Sequence, residues 1–166
     1  VLLRAPWPLG PYAPPERPAR VAPHPGSVEG RLFPVNFSLF SNLIGTPYLP
    51  DLTGAILLLE EIDERPEALD RMVTRLVLSG VASSLGGIVL GQFTHCLPRN
   101  EKLTEEDGLR LVWDLARALG IPALARFPHG HEAICCSLPL GAPVRLTTEP
   151  PGLSLLASPA NARPVA

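Results

Sequence analysis

Two adjacent carboxylates and a pair of histidines are the residues of this sequence best suited to proton chemistry. Glu60 and Glu61 follow the aliphatic run Ala55 to Leu59, and His129 and His131 stand in Phe127-Pro128-His129-Gly130-His131. Pro128 stiffens that segment and Gly130 opens it, which is the build of a loop. Imidazole has an ordinary pKa of about 6.5, close to what proton transfer near neutrality requires. A carboxylate that orients an imidazole, which then takes a serine proton, is the logic of a Ser-His-Asp/Glu triad. Acid before histidine is also the chain order of those triads in which the serine comes first. No Gly-x-Ser-x-Gly elbow occurs here, and Ser83-Ser84, ahead of Leu85-Gly86-Gly87, reads as a structural turn. The pattern offers an acid and a base without a nucleophile.

Plainer readings stand beside this one. A polar pair ends a strand wherever the strand meets solvent, and two histidines in a loop need no special role. Strand residues alternate, so Glu60 and Glu61 should point to opposite faces and only one should serve a given site. Cys135, Cys136 and His95-Cys96 invite a zinc site, but no Cys-x-x-Cys occurs, and adjacent cysteines cannot easily hold one tetrahedral ion. No metal and no organic cofactor is expected. Three cysteines, two of them adjacent, make no disulfide framework, which fits a reducing cytoplasm.

The elements that must position these groups follow from hydrophobic pattern. Ala55 to Glu61 reads as a strand buried on both faces, and Gly86 to Phe93 as a second. Phe37, Phe40, Leu43 and Ile44 predict a short helix over Asn36 to Ile44, stopped by Gly45 and Pro47. Pro66 opens a helix whose stripe is Leu69, Met72, Val73, Leu76 and Val77, closed by Gly80. Thr104 with Asp107 resembles a capping box before a helix through Leu119, its inner face carrying Val112, Leu115, Ala116 and Leu119. A strand starts in Pro122 to Phe127; Ala133 to Leu140 and Pro143 to Thr148 then suggest a closing hairpin around Gly141. Strands alternating with helices define an α/β domain.

Composition bounds the reading. The chain has 166 residues, 46% apolar and 18% charged, enough for one domain with a sizeable core. A net charge of −2 argues against nucleic acid or an anionic membrane as partner, and no apolar run approaches the roughly 20 residues that span a bilayer. The 21 prolines crowd the first stretch, so residues 1–28 read as an extended connector, with Trp7 and Tyr12 as packing anchors. Residues 29–150 form the domain, and the Pro- and Ala-rich residues 151–166 a tail that frays.

Several segments, taken in order, closely resemble one family. They are Gly45-Thr46-Pro47-Tyr48-Leu49-Pro50-Asp51, Ile56-Leu57-Leu58-Leu59-Glu60-Glu61, Asp70-Arg71-Met72 and Gly87-Ile88-Val89-Leu90-Gly91-Gln92-Phe93. Gly120-Ile121-Pro122, Phe127-Pro128-His129-Gly130-His131 and Leu138-Pro139-Leu140-Gly141 complete the set. Together they look like the C-terminal half of the LD-carboxypeptidases, the serine peptidases that include the microcin-C immunity peptidases. The resemblance implies a layered strand/helix C-terminal domain, Glu60 as orienting acid, His131 as general base and Asn36 as a substrate-binding residue. His129 falls at a variable place. Where the family usually has Gly-Gly-Asn, this chain has Phe33-Pro34-Val35-Asn36.

By the same resemblance the serine and oxyanion hole belong to an N-terminal domain absent from this chain, which alone would be inactive. The complete enzyme would remove a terminal D-amino acid from cytoplasmic muropeptide tetrapeptides during wall recycling. Its partners would be that peptide substrate, the missing domain and, since family members often pair, a second copy. Two alternatives accompany this reading: a fragment of a microcin-C-type immunity peptidase, and a free-standing, non-catalytic binding domain.

Overall fold

The structure, a computed structural model, describes residues 26–96 and 105–156 together with the short segments 8–9 and 20–21. The elements are β1 (Pro8–Leu9), β2 (Arg20–Val21), β3 (Ser27–Asn36), α1 (Phe37–Leu43), β4 (Ile56–Ile62) and α2 (Pro66–Leu78). There follow α3 (Val81–Ser84), β5 (Gly87–Thr94), α4 (Glu105–Leu119), β6 (Ala123–Ala125), β7 (Pro143–Thr148) and β8 (Pro151–Leu155). All strands share one sheet of order β1-β8-β7-β3-β4-β5-β6-β2. The expected α/β class is what the chain adopts.

The aliphatic run of β4 occupies the middle of the sheet because it is the segment that tolerates no water. Parallel neighbours β3 and β5 flank it, and Ile56, Leu57, Leu58 and Leu59 are all fully buried. Burying each such side chain contributes about 1.5–3 kcal/mol relative to leaving it exposed. Alternation divides the run between two cores. Leu57 and Leu59 pack with Phe37, Phe40, Leu69, Leu76, Val112 and Ala116 under the helices. Ile56 and Leu58 pack with Leu32, Phe127, Val144, Leu146 and Leu153 on the other face.

Helix α2 starts at Pro66, whose missing N–H costs nothing in a first turn, and is followed by Gly80 in the left-handed region at φ 80°. Its Leu69 and Leu76 reach the core, while Val77, at the end of the predicted stripe, is half exposed. Arg75 Nη1 donates to the Ser41 carbonyl at 3.1 Å and so ties α2 to α1. Helix α4 buries Val112, Leu115 and Ala116 as its periodicity requires; Thr104 of the capping box lies outside the described residues.

Three segments depart from the sequence reading. Strand β3 begins inside the expected connector and runs ten residues through Pro34, because two neighbours share its length. Residues Ser27 to Arg31 pair antiparallel with β7, and Leu32 to Asn36 pair parallel with β4. The Leu32 N–H points to the β7 side, meeting Ala142 O at 2.9 Å. Pro34, two residues on, aims its nitrogen to that same side beyond the start of β7, where a missing donor costs no ladder bond. Second, Ala133 to Leu140 forms no strand. Third, Pro151 to Leu155 does not fray: it is β8, the true hairpin partner of β7, with Leu146 opposite Leu153 in the second core. Ser83 and Ser84 belong to the one-turn α3 rather than to an open turn. Within the proline-rich arm, β1 and β2 are two-residue edge strands, the sheet position where proline is tolerated. Trp7 and Tyr12 lie outside the described residues.

Candidate active site

The two carboxylates part company at the end of β4, as strand alternation requires. Glu61 turns to the helix face and is almost fully buried there. Its Oε2 accepts the Ser38 backbone N–H at 2.6 Å, and its Oε1 accepts from Asn36 Nδ2 at 2.8 Å and from the Ile62 N–H at 2.9 Å. Asn36 caps α1 in turn, its Oδ1 accepting from Leu39 N at 3.1 Å and from Ser38 Oγ at 3.0 Å. A carboxylate and an N-cap together thus satisfy two orphan donors of the first turn, the N–H groups of Ser38 and Leu39, where negative charge is also favoured by the peptide dipoles.

Glu60 faces the opposite side and meets His131. Its Oε2 lies 2.7 Å from His131 Nδ1; the Glu60 side chain is 7% exposed and that of His131 46%. A carboxylate oxygen can only accept, so Nδ1 carries the proton and Nε2 is the nitrogen left to take one. A buried acid holding a partly exposed imidazole by Nδ1 is competent for general-base work.

His131 reaches that place on a loop laid along the continuation of β5. After β6 ends, Phe127 N donates to Leu90 O and Gln92 N to His129 O, both at 2.9 Å, extending the ladder past the last formal strand residue. The loop is then folded on itself by Cys136 N donating to Pro128 O at 2.7 Å. Gly91 permits this approach: a Cβ there would run into the His129 carbonyl oxygen and lie 3.2 Å from Glu60 Cβ. His129 Nδ1 sits 2.8 Å from the Cys136 carbonyl, so the structure uses this histidine inside the loop and does not bring it to Glu60. Cys135 is exposed, with Sγ 3.7 Å from His129 Nδ1, whereas burial, and then the neighbouring Cys135, push the Cys136 thiol up. No group of three or more metal-binding side chains occurs among the described residues, and no described helix is long and apolar enough to cross a membrane.

Gly91, Gln92 and Ser38 are the site residues to which the sequence reading gave no role, although the first two stand in one of the family-like segments. Gln92 had one visible signal, a lone amide interrupting the apolar run Ile88 to Phe93.

An α/β domain that presents a carboxylate–imidazole pair at the C-terminal edge of its parallel strands, where ligands of such sheets bind, is the class that fold and site define. This chain belongs to the LD-carboxypeptidase family: residues 29–146 match the LD-carboxypeptidase C-terminal domain. It is 36% identical over 126 residues to a Bacillus subtilis protein named "Probable murein peptide carboxypeptidase", covering 75% of this chain and 39% of that one. It is 34% identical over 119 residues to the murein tetrapeptide carboxypeptidase of Pseudomonas aeruginosa, covering 71% and 38%. The chain thus spans about two fifths of the length of these relatives. Among solved structures, the muramoyltetrapeptide carboxypeptidase of Oxalobacter formigenes superposes with a TM-score of 0.65 at 28% identity, over 82% of this chain and 48% of that one. The microcin C7 self-immunity protein MccF, bound to aspartyl sulfamoyl adenosine, shares the fold at a TM-score of 0.71 and 21% identity, over 84% and 41%.

Proposed function

We propose that this chain is the C-terminal domain of a serine LD-carboxypeptidase and supplies the acid and base of its triad. The observation that carries the reading is the 2.7 Å bond from His131 Nδ1 to a buried Glu60. In the complete enzyme a serine from an N-terminal domain attacks the amide preceding a terminal D-amino acid. His131 Nε2 takes the serine proton and returns it to the leaving amine, while Glu60 holds the imidazole in the required tautomer and stabilises its charged form. Asn36 spends Oδ1 and one amide proton within the protein, and its other amide proton is what it offers a substrate. The names of the relatives with the higher identities support a murein tetrapeptide as substrate, and the enzyme is a cytoplasmic one acting in wall recycling.

The test is hydrolysis by this chain joined to a serine-bearing N-terminal domain, assayed on a muropeptide tetrapeptide and on an aminoacyl-nucleotide conjugate. D-Alanine release from the muropeptide is expected, and His131→Ala or Glu60→Gln should lower kcat by about 10⁴-fold, as loss of a member of a cooperative triad does. The chain by itself should cleave neither. Cleavage of the conjugate alone would move the protein to the immunity peptidases, and full activity in His131→Ala would overturn the assignment.

A further inference from the structure

Opposite Glu60 the pairing of β4 with β5 slips. Leu59 faces Leu90 while Glu61 faces Phe93, so two steps along β4 are matched by three along β5. The surplus residue lies in Gly91-Gln92, and a bulge of this kind bends its strand and re-aims a side chain. Gln92 consequently leaves the buried run and turns its carboxamide to the loop that carries His131. Nε2 donates to the Ile134 carbonyl at 2.7 Å, and Oε1 accepts the Glu132 N–H at 3.1 Å. One amide orientation serves both bonds. With its own N–H on His129 O, Gln92 holds the loop on both sides of the histidine, at 129, 132 and 134.

Gly130 is shaped to this contact. Its φ is 146°, and a Cβ there would stand 2.8 Å from Gln92 Cβ and 2.9 Å from Gln92 Oε1. Between β6 and β7 the loop has no helix or strand of its own, and Glu132 through Cys135 are exposed; the bonds of Pro128 and His129 to Cys136 close the loop on itself, and those of Gln92 tie it to the sheet. An imidazole that must meet both a carboxylate and a reacting atom needs its backbone fixed to within about 0.5 Å.

We propose that Gln92 is the positioning residue of His131, a clamp that sets the loop so that Nδ1 falls on Glu60. Its catalytic meaning rests on the peptidase reading above, whereas the clamp is a property of this chain and can be read on it directly. The experiment is NMR of the full chain, following the downfield Nδ1–H proton of the carboxylate-bound imidazole, assigned by its loss in His131→Ala, and the exchange of the Glu132 amide. Gln92→Met keeps the length and loses both side-chain bonds; Gln92→Glu keeps an acceptor for Glu132 and loses the donor to Ile134. In Gln92→Met the His131 proton signal should broaden away and the Glu132 amide should exchange roughly tenfold faster, the worth of one lost hydrogen bond. Gln92→Glu should fall between Gln92→Met and wild type, and strands β3 to β5 should stay protected in both. A retained His131 signal in both variants, whether with wild-type exchange or with exchange faster throughout the sheet, would overturn the proposal. In the two-domain enzyme Gln92→Met should lower kcat about tenfold with KM unchanged. Absence of peptidase activity with Gln92 intact would remove the peptidase reading and leave the NMR result standing, so the two failures are distinct.

Discussion

Glu60 and Glu61 share a peptide bond and send their carboxylates through opposite faces of the sheet, one to His131 and the other to the first turn of α1. The proposed chemistry and the architecture are thereby separated by a single step along β4. Glu61→Ala leaves the part-buried Ser38 N–H and Asn36 Nδ2 without their acceptor and should cost about 2–4 kcal/mol in urea unfolding. Glu60→Gln, which can still accept from Nδ1, should cost less than about 1 kcal/mol. Equal losses for the two would contradict this division of labour.

Gly91 is required by space and not by backbone conformation. Gly91→Ala forces a methyl group onto the His129 carbonyl, so either the sheet strains or the loop lifts. A loss of about 1–3 kcal/mol is expected from overpacking, accompanied by loss of the His131–Glu60 contact in the NMR spectrum. Wild-type stability together with an intact contact would show that the approach is looser than the structure has it.

The three thiols should differ in reactivity. Cys135 is exposed, Cys136 is half-buried with its thiol pushed up by that burial, and Cys96 is fully buried. A thiol with a raised pKa holds less thiolate at a given pH, and thiolate is the species that alkylates. At about pH 8, near the ordinary thiol range, iodoacetamide should modify Cys135 first, then Cys136, and Cys96 only on unfolding. Raising the pH should speed Cys136 most and narrow the gap. Mass spectrometry of timed quenches reads the order directly.

The stretch after Pro150 is part of the fold. Leu153 is 1% exposed in the core shared with Leu32, Leu58 and Leu146. Leu153→Ala should cost about 2–4 kcal/mol, and truncation after Glu149 should leave a chain that unfolds at much lower urea. A truncated chain as stable as the whole would return these residues to the status of a tail.

The segments legible in the sequence were those whose pattern admits one geometry. The aliphatic run of β4 cannot be exposed, and Pro66 with the Leu69, Met72, Leu76 stripe can hardly be anything but a helix on a sheet. Opposite directions for Glu60 and Glu61 followed from alternation alone. Strand β3 was hidden because Ser27 fell in the expected connector and polar Glu29 and Arg31, then Pro34, break any strand pattern beyond it; only the register shows that β7 starts opposite Arg31, short of Pro34. β8 was hidden for a similar reason, its Pro151 and Gly152 suggesting a frayed end while Leu153 supplies the core. The clamp of Gln92 depends on a bulge, and a bulge is a relation between two strands that neither carries by itself.

Glu60 and His131 lie 71 positions apart in the chain, and the shelf on which the histidine loop rests is the free edge of β5 beyond β6. That shelf exists only after two parallel crossovers, through α2 and α3 and then through α4, have placed β5 beside β4 and β6 beside β5. Parallel pairings bring together distant parts of the chain and are slow to form. The acid–imidazole contact therefore depends on pairings that carry a high loop-closure cost. Glu61 needs only Asn36, Ser38 and Ile62 to be seated, all within 25 positions of it, so the same turn of β4 joins a short-range anchor to a long-range site.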